Sequence, residues 1–132
     1  MFRSVLLFIA LLLASAVTFA APPTCVTGAP GDTTVTLTGV APTTDVNGNP
    51  LTGVTLTYNV YRATTSGGEG ATPYKSGLTT PQLTDATLTP GTYYYTMTAV
   101  DANGESTPTP EVCKSIAKPA AAPLSPAPLT IK

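Results

Sequence analysis

The stretch Tyr93-Tyr94-Tyr95-Thr96-Met97-Thr98-Ala99-Val100 is the part of the chain that decides its fold class. The side chains of Tyr93, Tyr95, Met97 and Ala99 alternate with a set that is richer in threonine. Successive side chains of a β-strand point to opposite faces, so this spacing predicts a strand with one face toward a core. Threonine and tyrosine both suit such a pleated surface.

Two other segments repeat the alternation. Thr33–Thr38 reads Thr-Thr-Val-Thr-Leu-Thr, which puts Val35 and Leu37 on one face, and residues 55–61 place Leu56, Tyr58 and Val60 together in the same way. No segment after residue 20 has the periodicity of a helix. Weaker strands are predicted at Pro73–Ser76, Gln82–Thr87 and Ser106–Ile116.

Turn-forming residues separate these segments. Asp45–Pro50 and Ser66–Gly70 are predicted loops, and Pro90-Gly91 precedes the longest strand. Asn103-Gly104 lies between two strand segments and is the strongest short hairpin signal in the chain. About seven short strands divided in this manner predict an all-β protein, folded as an antiparallel sandwich.

The N-terminal residues predict a secretory signal peptide at residues 1–20. Arg3 precedes an apolar run from Val5 to Leu13, and small residues lead to a cleavage position after Ala20. The alternative is an anchor that stays uncleaved, but the apolar run is shorter than the ~20 residues that a membrane-spanning helix needs. We therefore expect a secreted, periplasmic or cell-envelope protein that does not insert into the membrane after cleavage.

Two cysteines remain after that cleavage, Cys25 near the start of the domain and Cys113 near its end. In an exported protein such a pair usually forms a structural disulfide. The alternative, a reactive thiol pair, has little support because the residues are far apart and the chain has no histidine to activate either one.

Several of these segments resemble fibronectin type III domains. Thr34–Pro42 resembles their second strand, and Asp45–Leu51 followed by Tyr58–Arg62 resembles their next loop and third strand. Leu88–Tyr93, together with Gly104-Glu105-Ser106, resembles their sixth strand and final hairpin. The resemblance is to single-domain secreted versions of bacterial and phage type, and it implies an immunoglobulin-like antiparallel β-sandwich of about seven strands.

The resemblance also implies residue roles. Tyr93 would be the structural core tyrosine, with its ring toward the core and its hydroxyl bonded to nearby backbone. Gly39 stands where the family usually has a core tryptophan, and the chain has no tryptophan. We expect Tyr58, Tyr95 and Met97 to fill that space.

The domain organisation follows from composition. Residues 1–20 are the predicted signal peptide, residues 21–117 the β-sandwich, and residues 118–132 a Pro/Ala-rich flexible tail. Proline at four positions of the tail is incompatible with a helix or a central strand.

The composition argues against several kinds of chemistry. The chain has no histidine, which removes the usual Ser-His and Cys-His nucleophiles and histidine metal sites. Asp45–Asn49 resembles the opening of a calcium loop, but Pro50 and Leu56 replace the required Gly and Glu. The other aspartates are expected in turns and at strand ends. The prediction is a protein that is not an enzyme and uses no cofactor or metal.

The charge pattern bears on the partner. Six Lys and Arg residues are scattered against seven Asp and Glu residues, so no basic patch is available for nucleic acid. The predicted function is a binding module that recognises a protein or glycan through loops or an exposed edge strand. Asp45, Asn47 and Asn49, within the loop 43–51, are the candidate binding residues, and the loop 64–72 is expected at the opposite end. The alternative is a structural spacer or decoration on a cell surface or particle.

Overall fold

The computed structural model describes residues 22–121, which form an all-β sandwich of two sheets. The predicted signal peptide at 1–20 and the tail residues 122–132 lie outside the described residues. Within the described part there are eight strands: β1 Val26–Thr27, β2 Val35–Thr38, β3 Thr57–Ala63, β4 Lys75–Leu78, β5 Gln82–Asp85, β6 Gly91–Asp101, β7 Gly104–Glu105 and β8 Val112–Ile116. The β-sandwich predicted from the alternating segments is therefore confirmed.

The larger sheet has the order β1-β8-β6-β3-β4, and β7 also pairs with β6. Its centre is β6, which runs antiparallel to β3 over the register from Thr57 opposite Val100 to Ala63 opposite Tyr94. Strand β8 pairs antiparallel with the first half of β6, and β1 pairs parallel with β8. Strand β6, which has the clearest alternation in the sequence, is thus the central strand of this sheet and has a partner strand on each side.

Among residues 22–121 the smaller sheet consists of β2 and β5, paired antiparallel from Val35 opposite Asp85 to Thr38 opposite Gln82. It covers the apolar face of the larger sheet. The first strand of the domain does not extend this small sheet, because β1 pairs with β8 on the other side. As a consequence, β2 has no strand on its outer side within residues 22–121.

The core lies between the two sheets and contains the alternating residues that the sequence places on one face. Tyr95 and Val60 are the largest fully buried side chains, and both belong to the paired strands β3 and β6. The buried cluster consists of Val35, Tyr58, Val60, Leu88, Tyr95, Met97 and Ile116. Leu37, Leu56, Leu78, Leu83, Tyr93 and Ala99 pack against it from its margins.

The absence of a tryptophan at position 39 is accommodated locally. A Cβ atom on Gly39 would lie 3.4 Å from the Met97 sulfur and 3.3 Å from the Pro81 Cβ, so these two side chains already occupy the space beside the glycine. Met97 belongs to the buried cluster, as do Tyr58 and Tyr95, the other two residues expected there. A flexible thioether suits an irregular gap of this kind.

A disulfide joins Cys25 to Cys113, with an S–S distance of 2.03 Å and a sequence separation of 88 residues. Cys25 immediately precedes β1, and Cys113 is buried in β8. The bridge therefore fastens the first strand to the last one, beside their parallel pairing. This is the pairing that the sequence predicted.

Some strand bounds differ from the prediction. The strand predicted at Ser106–Ile116 is reduced to β8, because Pro108 and Pro110 have no N–H group to give to a strand ladder. The strand predicted at Pro73–Ser76 begins at Lys75 instead. The final hairpin is shifted by one residue: Asp101 pairs with Gly104, so its two-residue loop is Ala102-Asn103 rather than Asn103-Gly104.

Between residues 22 and 121 the chain contains no helix of the length and apolarity needed to cross a membrane.

Candidate functional site

The connection from β2 to β3 contains a closed loop at residues 43–51. Its base is formed by an isolated bridge between Thr44 and Pro50 and by the hydrogen bond from Leu51 N to the Thr43 carbonyl. Its tip is a tight turn in which Gly48 N donates to the Asp45 carbonyl at 3.1 Å. Gly48 has φ 84°, a conformation that glycine adopts without strain. The loop is therefore held by its own backbone.

The Asp45 side chain strengthens this arrangement. Its carboxylate accepts hydrogen bonds from the backbone N–H groups of Asn47 and Asn49, both at 2.8 Å, and from Asn49 Nδ2 at 2.9 Å. The Asn49 side chain, followed by the backbone amides, lowers the pKa of Asp45 below its ordinary value. Both carboxylate oxygens accept hydrogen bonds from within the loop, so Asp45 serves to order the loop rather than to contact a ligand.

The β6–β7 hairpin uses the same device. The Asp101 carboxylate accepts from the backbone N–H groups of Asn103 and Gly104 and from Asn103 Nδ2, at 2.7 to 3.1 Å. The hydrogen bond from the Asn103 backbone N–H is the largest cause of the lowered pKa of Asp101, followed by the bond from the Asn103 side chain. Two turns, each fixed by an aspartate in its first position, thus stand at the same end of the sandwich.

An open groove of about 490 Å³ lies between this loop and this hairpin. Its apolar part comes from Pro42, Leu51, Leu56 and Ala99. Val46 stands at its margin with 91% of its surface exposed, an unusual position for a large apolar side chain. The polar part is contributed by Thr44, Asp45, Asn47, Asp101, Asn103, Gly104, Glu105 and Ser106.

The structure separates the three loop residues that were predicted as a binding site. Asp45 and Asn47 line the groove, while Asn49 is not among its lining residues and instead donates to Asp45. The hairpin wall was not predicted as part of the site, since Asn103-Gly104 was identified only as a hairpin signal. The missed signal is the repeated spacing Asp-x-Asn in residues 45–47 and 101–103, which marks two turns of the same kind.

The loop 64–72 leaves the other end of β3, so the two candidate loops lie at opposite ends of that strand, as expected. Glu111 anchors this loop by accepting from Ser66 Oγ at 2.7 Å and from Gly67 N at 2.6 Å. Burial, and then the Glu111 carboxylate, raise the pKa of Glu69. Glu111 therefore holds the loop against the start of β8.

A buried polar cluster, which sequence reasoning did not detect, is centred on Asp85 at the end of β5. Its carboxylate accepts from Arg62 Nη1 at 2.8 Å, from the Tyr95 hydroxyl at 2.8 Å and from the Tyr74 hydroxyl at 2.9 Å. Burial alone would raise the pKa of Asp85, but the three donors outweigh it and hold this pKa below its ordinary value. The Arg62 guanidinium also stacks on the Tyr74 ring at 3.7 Å.

Asp85 was expected only as a turn or strand-end residue. It does end β5, but with 3% of its surface exposed it lies inside the sandwich. Its three partners come from β3, the connection before β4, and β6, so no local pattern could reveal them. The cluster stabilises the fold, and the carboxylate at its centre is not accessible to a ligand.

Tyr93, the tyrosine assigned a structural role by the resemblance, packs against the buried cluster. Its hydroxyl donates to the Thr89 carbonyl at 3.2 Å and lies 3.1 Å from the Thr89 hydroxyl. The ring thus contacts the core while the hydroxyl bonds to backbone at the start of β6.

Within residues 22–121, no three His, Cys, Asp or Glu side chains stand close enough together to hold a metal ion. The loop 43–51, which resembles part of a calcium loop, instead uses both Asp45 oxygens on its own amides.

Similarity to known proteins is found among solved structures. No family model matches the sequence, and no curated protein is detectably similar to it. Among solved structures, the crystal structure of a Fn3-like protein from Clostridium thermocellum superposes with a TM-score of 0.49 at 28% sequence identity. The similarity covers 76% of this chain and 100% of that one.

Proposed function

We propose that this protein is a non-catalytic binding module of fibronectin type III kind, which recognises a protein or a glycan through the groove between the loop 43–51 and the β6–β7 hairpin. The single observation that carries the proposal is the construction of this groove. Two turns that are rigidified by their own aspartates enclose an apolar floor, and Val46 is exposed at the margin.

Rigidity is the physical reason for preferring this groove. A loop that is ordered before binding loses little conformational entropy when a partner arrives, so more of the contact energy remains for affinity. The three hydrogen bonds to Asp45 and the three to Asp101 supply that order. An apolar floor with a polar margin is also the usual composition of a recognition site.

The exposed apolar side chains are concentrated in the segment that contains the loop 43–51, and Val46 is the one of them that lines the groove. Among residues 22–121, six large apolar side chains are exposed, and Val40, Val46 and Val54 all belong to the connection between β2 and β3. A spacer would need no such concentration, because its surface serves only to stay solvated.

Non-catalytic action and export are parts of the proposal. The chain has no histidine, and the groove carboxylates Asp45, Asp101 and Glu105 all have pKa values lowered by hydrogen bonds, which leaves none of them suited to donate a proton near neutral pH. Export to the envelope or medium is supported by the disulfide, which persists in oxidising compartments, and by the N-terminal sequence pattern.

The test is capture of a partner by the immobilised oxidised protein from envelope and culture-supernatant fractions, together with screening on a glycan array. Val46→Asp places a charge at the groove margin and should abolish capture. Val40→Asp is the matched control, because Val40 is 95% exposed and lies outside the groove lining. Equal loss in both variants would contradict recognition through the groove. No capture by the folded protein in any fraction or on the array would favour the spacer function instead.

A further inference from the structure

The outer edge of β2 is the most unusual surface of the sandwich. Strand β2 pairs only with β5 among the described residues, and the side facing β1 and β8 carries no partner strand. Unpaired strand edges are templates for another extended segment, and proteins generally cover them. This edge and the loop groove described above are separate surfaces.

The hydrogen-bonding groups on that edge can be assigned from the neighbouring bonds. Gly39 N donates to the Pro81 carbonyl and Leu88 N donates to the Thr33 carbonyl, so residues 33 and 39 face β5. Backbone groups alternate in direction along a strand, and Thr34, Thr36 and Thr38 therefore face outward.

The first of these outward residues is already satisfied. Thr34 N donates to Asp32 Oδ1 at 3.0 Å, and the Thr34 carbonyl accepts from Lys114 Nζ at 2.7 Å. Lys114 also forms an ion pair with Asp32 at 2.6 Å. The N–H and C=O groups of Thr36 and Thr38 have no such partner among residues 22–121, so the edge is open over its second half.

A groove of about 500 Å³ runs beside this edge, between the two sheets. Its apolar lining includes Val35 and Leu37 from β2, Tyr95 in the core, and Val26 and Val112 on the facing strands. Val26 and Val112 are 65% and 52% exposed, although both belong to strands. An extended segment with apolar side chains at alternate positions would cover both the backbone groups and these valines.

We propose that the C-terminal end of this chain, Leu129-Thr130-Ile131-Lys132, adds to the outer edge of β2 as a further strand. Its sequence alternates apolar and polar residues, which would direct Leu129 and Ile131 into the groove. It is four residues long, as is β2, and it follows directly on Pro128, a residue tolerated at the start of an edge strand.

The reach and direction of the chain fit this occupant. Strand β8 ends at Ile116, opposite Gly91, and that end of the sandwich is also where β2 begins, beside Leu88 and Thr33. A segment that starts at this end of the sandwich and extends along β2 would run parallel to it. The twelve residues from 117 to 128 can span about 37 Å at ~3.1 Å per residue, well beyond the ~13 Å length of a four-residue strand.

Amide hydrogen exchange on the oxidised chain ending at Lys132 tests the proposal. We expect the Thr36 and Thr38 amides to exchange at least tenfold more slowly in the unmodified chain than in the double variant Leu129→Asp/Ile131→Asp. The amide of Leu37, which faces β5, is the internal control and should not change. The matched variant Thr130→Asp alters a side chain directed away from the groove and should retain the protection.

Three results would overturn the proposal. One is equally fast exchange of Thr36 and Thr38 in the unmodified chain and the double variant. Another is protection that survives Leu129→Asp/Ile131→Asp, which would assign the edge to some other segment. The third is protection that appears only as the protein becomes a dimer in solution, as judged by mass from light scattering, since the strand would then come from a second copy.

Discussion

Removal of the Asp85 carboxylate should destabilise this protein more than any other single change to a polar side chain among residues 22–121. The carboxylate accepts three hydrogen bonds inside the sandwich, from Arg62, Tyr74 and Tyr95. Asp85→Ala leaves all three donors without their acceptor. The consequences differ among them because their access to water differs.

The magnitude follows from that access. Tyr95 is 1% exposed, so its hydroxyl cannot reach water, and an unsatisfied buried donor costs about 1–3 kcal/mol. Breaking a buried ion pair costs about 3–5 kcal/mol, but the Arg62 side chain is 28% exposed and recovers part of its hydration. Tyr74 is 36% exposed and contributes little. We expect Asp85→Ala to lower the free energy of unfolding by about 3–4 kcal/mol.

Chemical denaturation of the oxidised protein at pH 7 measures this loss. Asp85→Asn keeps the shape and one acceptor oxygen, so it should cost about half as much as Asp85→Ala. Tyr95→Phe removes a single donor and leaves Asp85 two others, so a loss of about 1 kcal/mol is expected. A loss below about 1 kcal/mol for Asp85→Ala, with the slope of the transition unchanged, would refute the reasoning.

Three further outcomes are expected. The difference in unfolding free energy between the unmodified protein and Asp85→Ala should become smaller as the pH falls below about 4. Folding lowers the pKa of Asp85, so the ionised carboxylate stabilises the protein above its unfolded pKa, and this stabilisation is lost as the group is protonated. A difference that stays constant in denaturation measured across this pH range would contradict the argument. Replacing Cys25 and Cys113 together by Ser should cost about 4–5 kcal/mol in the same assay, since the bridge closes a loop of 88 residues, and a cost below about 2 would contradict the chain-entropy argument. Gly39→Ala should cost about 1 kcal/mol, because the new Cβ lies 3.3 Å from the Pro81 side chain, and an unchanged thermal midpoint would show that this contact relaxes freely.

The fold class could be predicted because it depends on local patterns. Alternation at residues 33–38, 55–61 and 93–100 indicates which side chains share a face of a strand. Burial of the apolar face is the main driving force for folding. The strands β2, β3 and β6 follow those patterns, and their inward residues form the core. The disulfide was predictable for a similar reason, since only two cysteines were present.

The candidate site was only half predictable. The loop 43–51 has its own turn residues, and the hydrogen bonds of Asp45 are local. The opposite wall of the groove comes from the hairpin at Asp101, more than 50 residues later in the chain. Proximity of that kind depends on how β3 and β6 pair.

By itself, the sequence determined that this chain forms short strands with one apolar face, separated by tight turns, and that Cys25 and Cys113 have each other to pair with. The tertiary structure decided which turns face each other, that Asp85 becomes a buried acceptor, and that β1 joins β8, so that no strand within residues 22–121 pairs with the outer edge of β2. The physical reason is the distance along the chain over which each kind of interaction acts. Alternation and turn chemistry act between neighbours in sequence. The order of strands in a sheet depends instead on pairing between distant segments, and the energy of each pairing depends on side-chain packing across the two strands, which neither segment shows by itself.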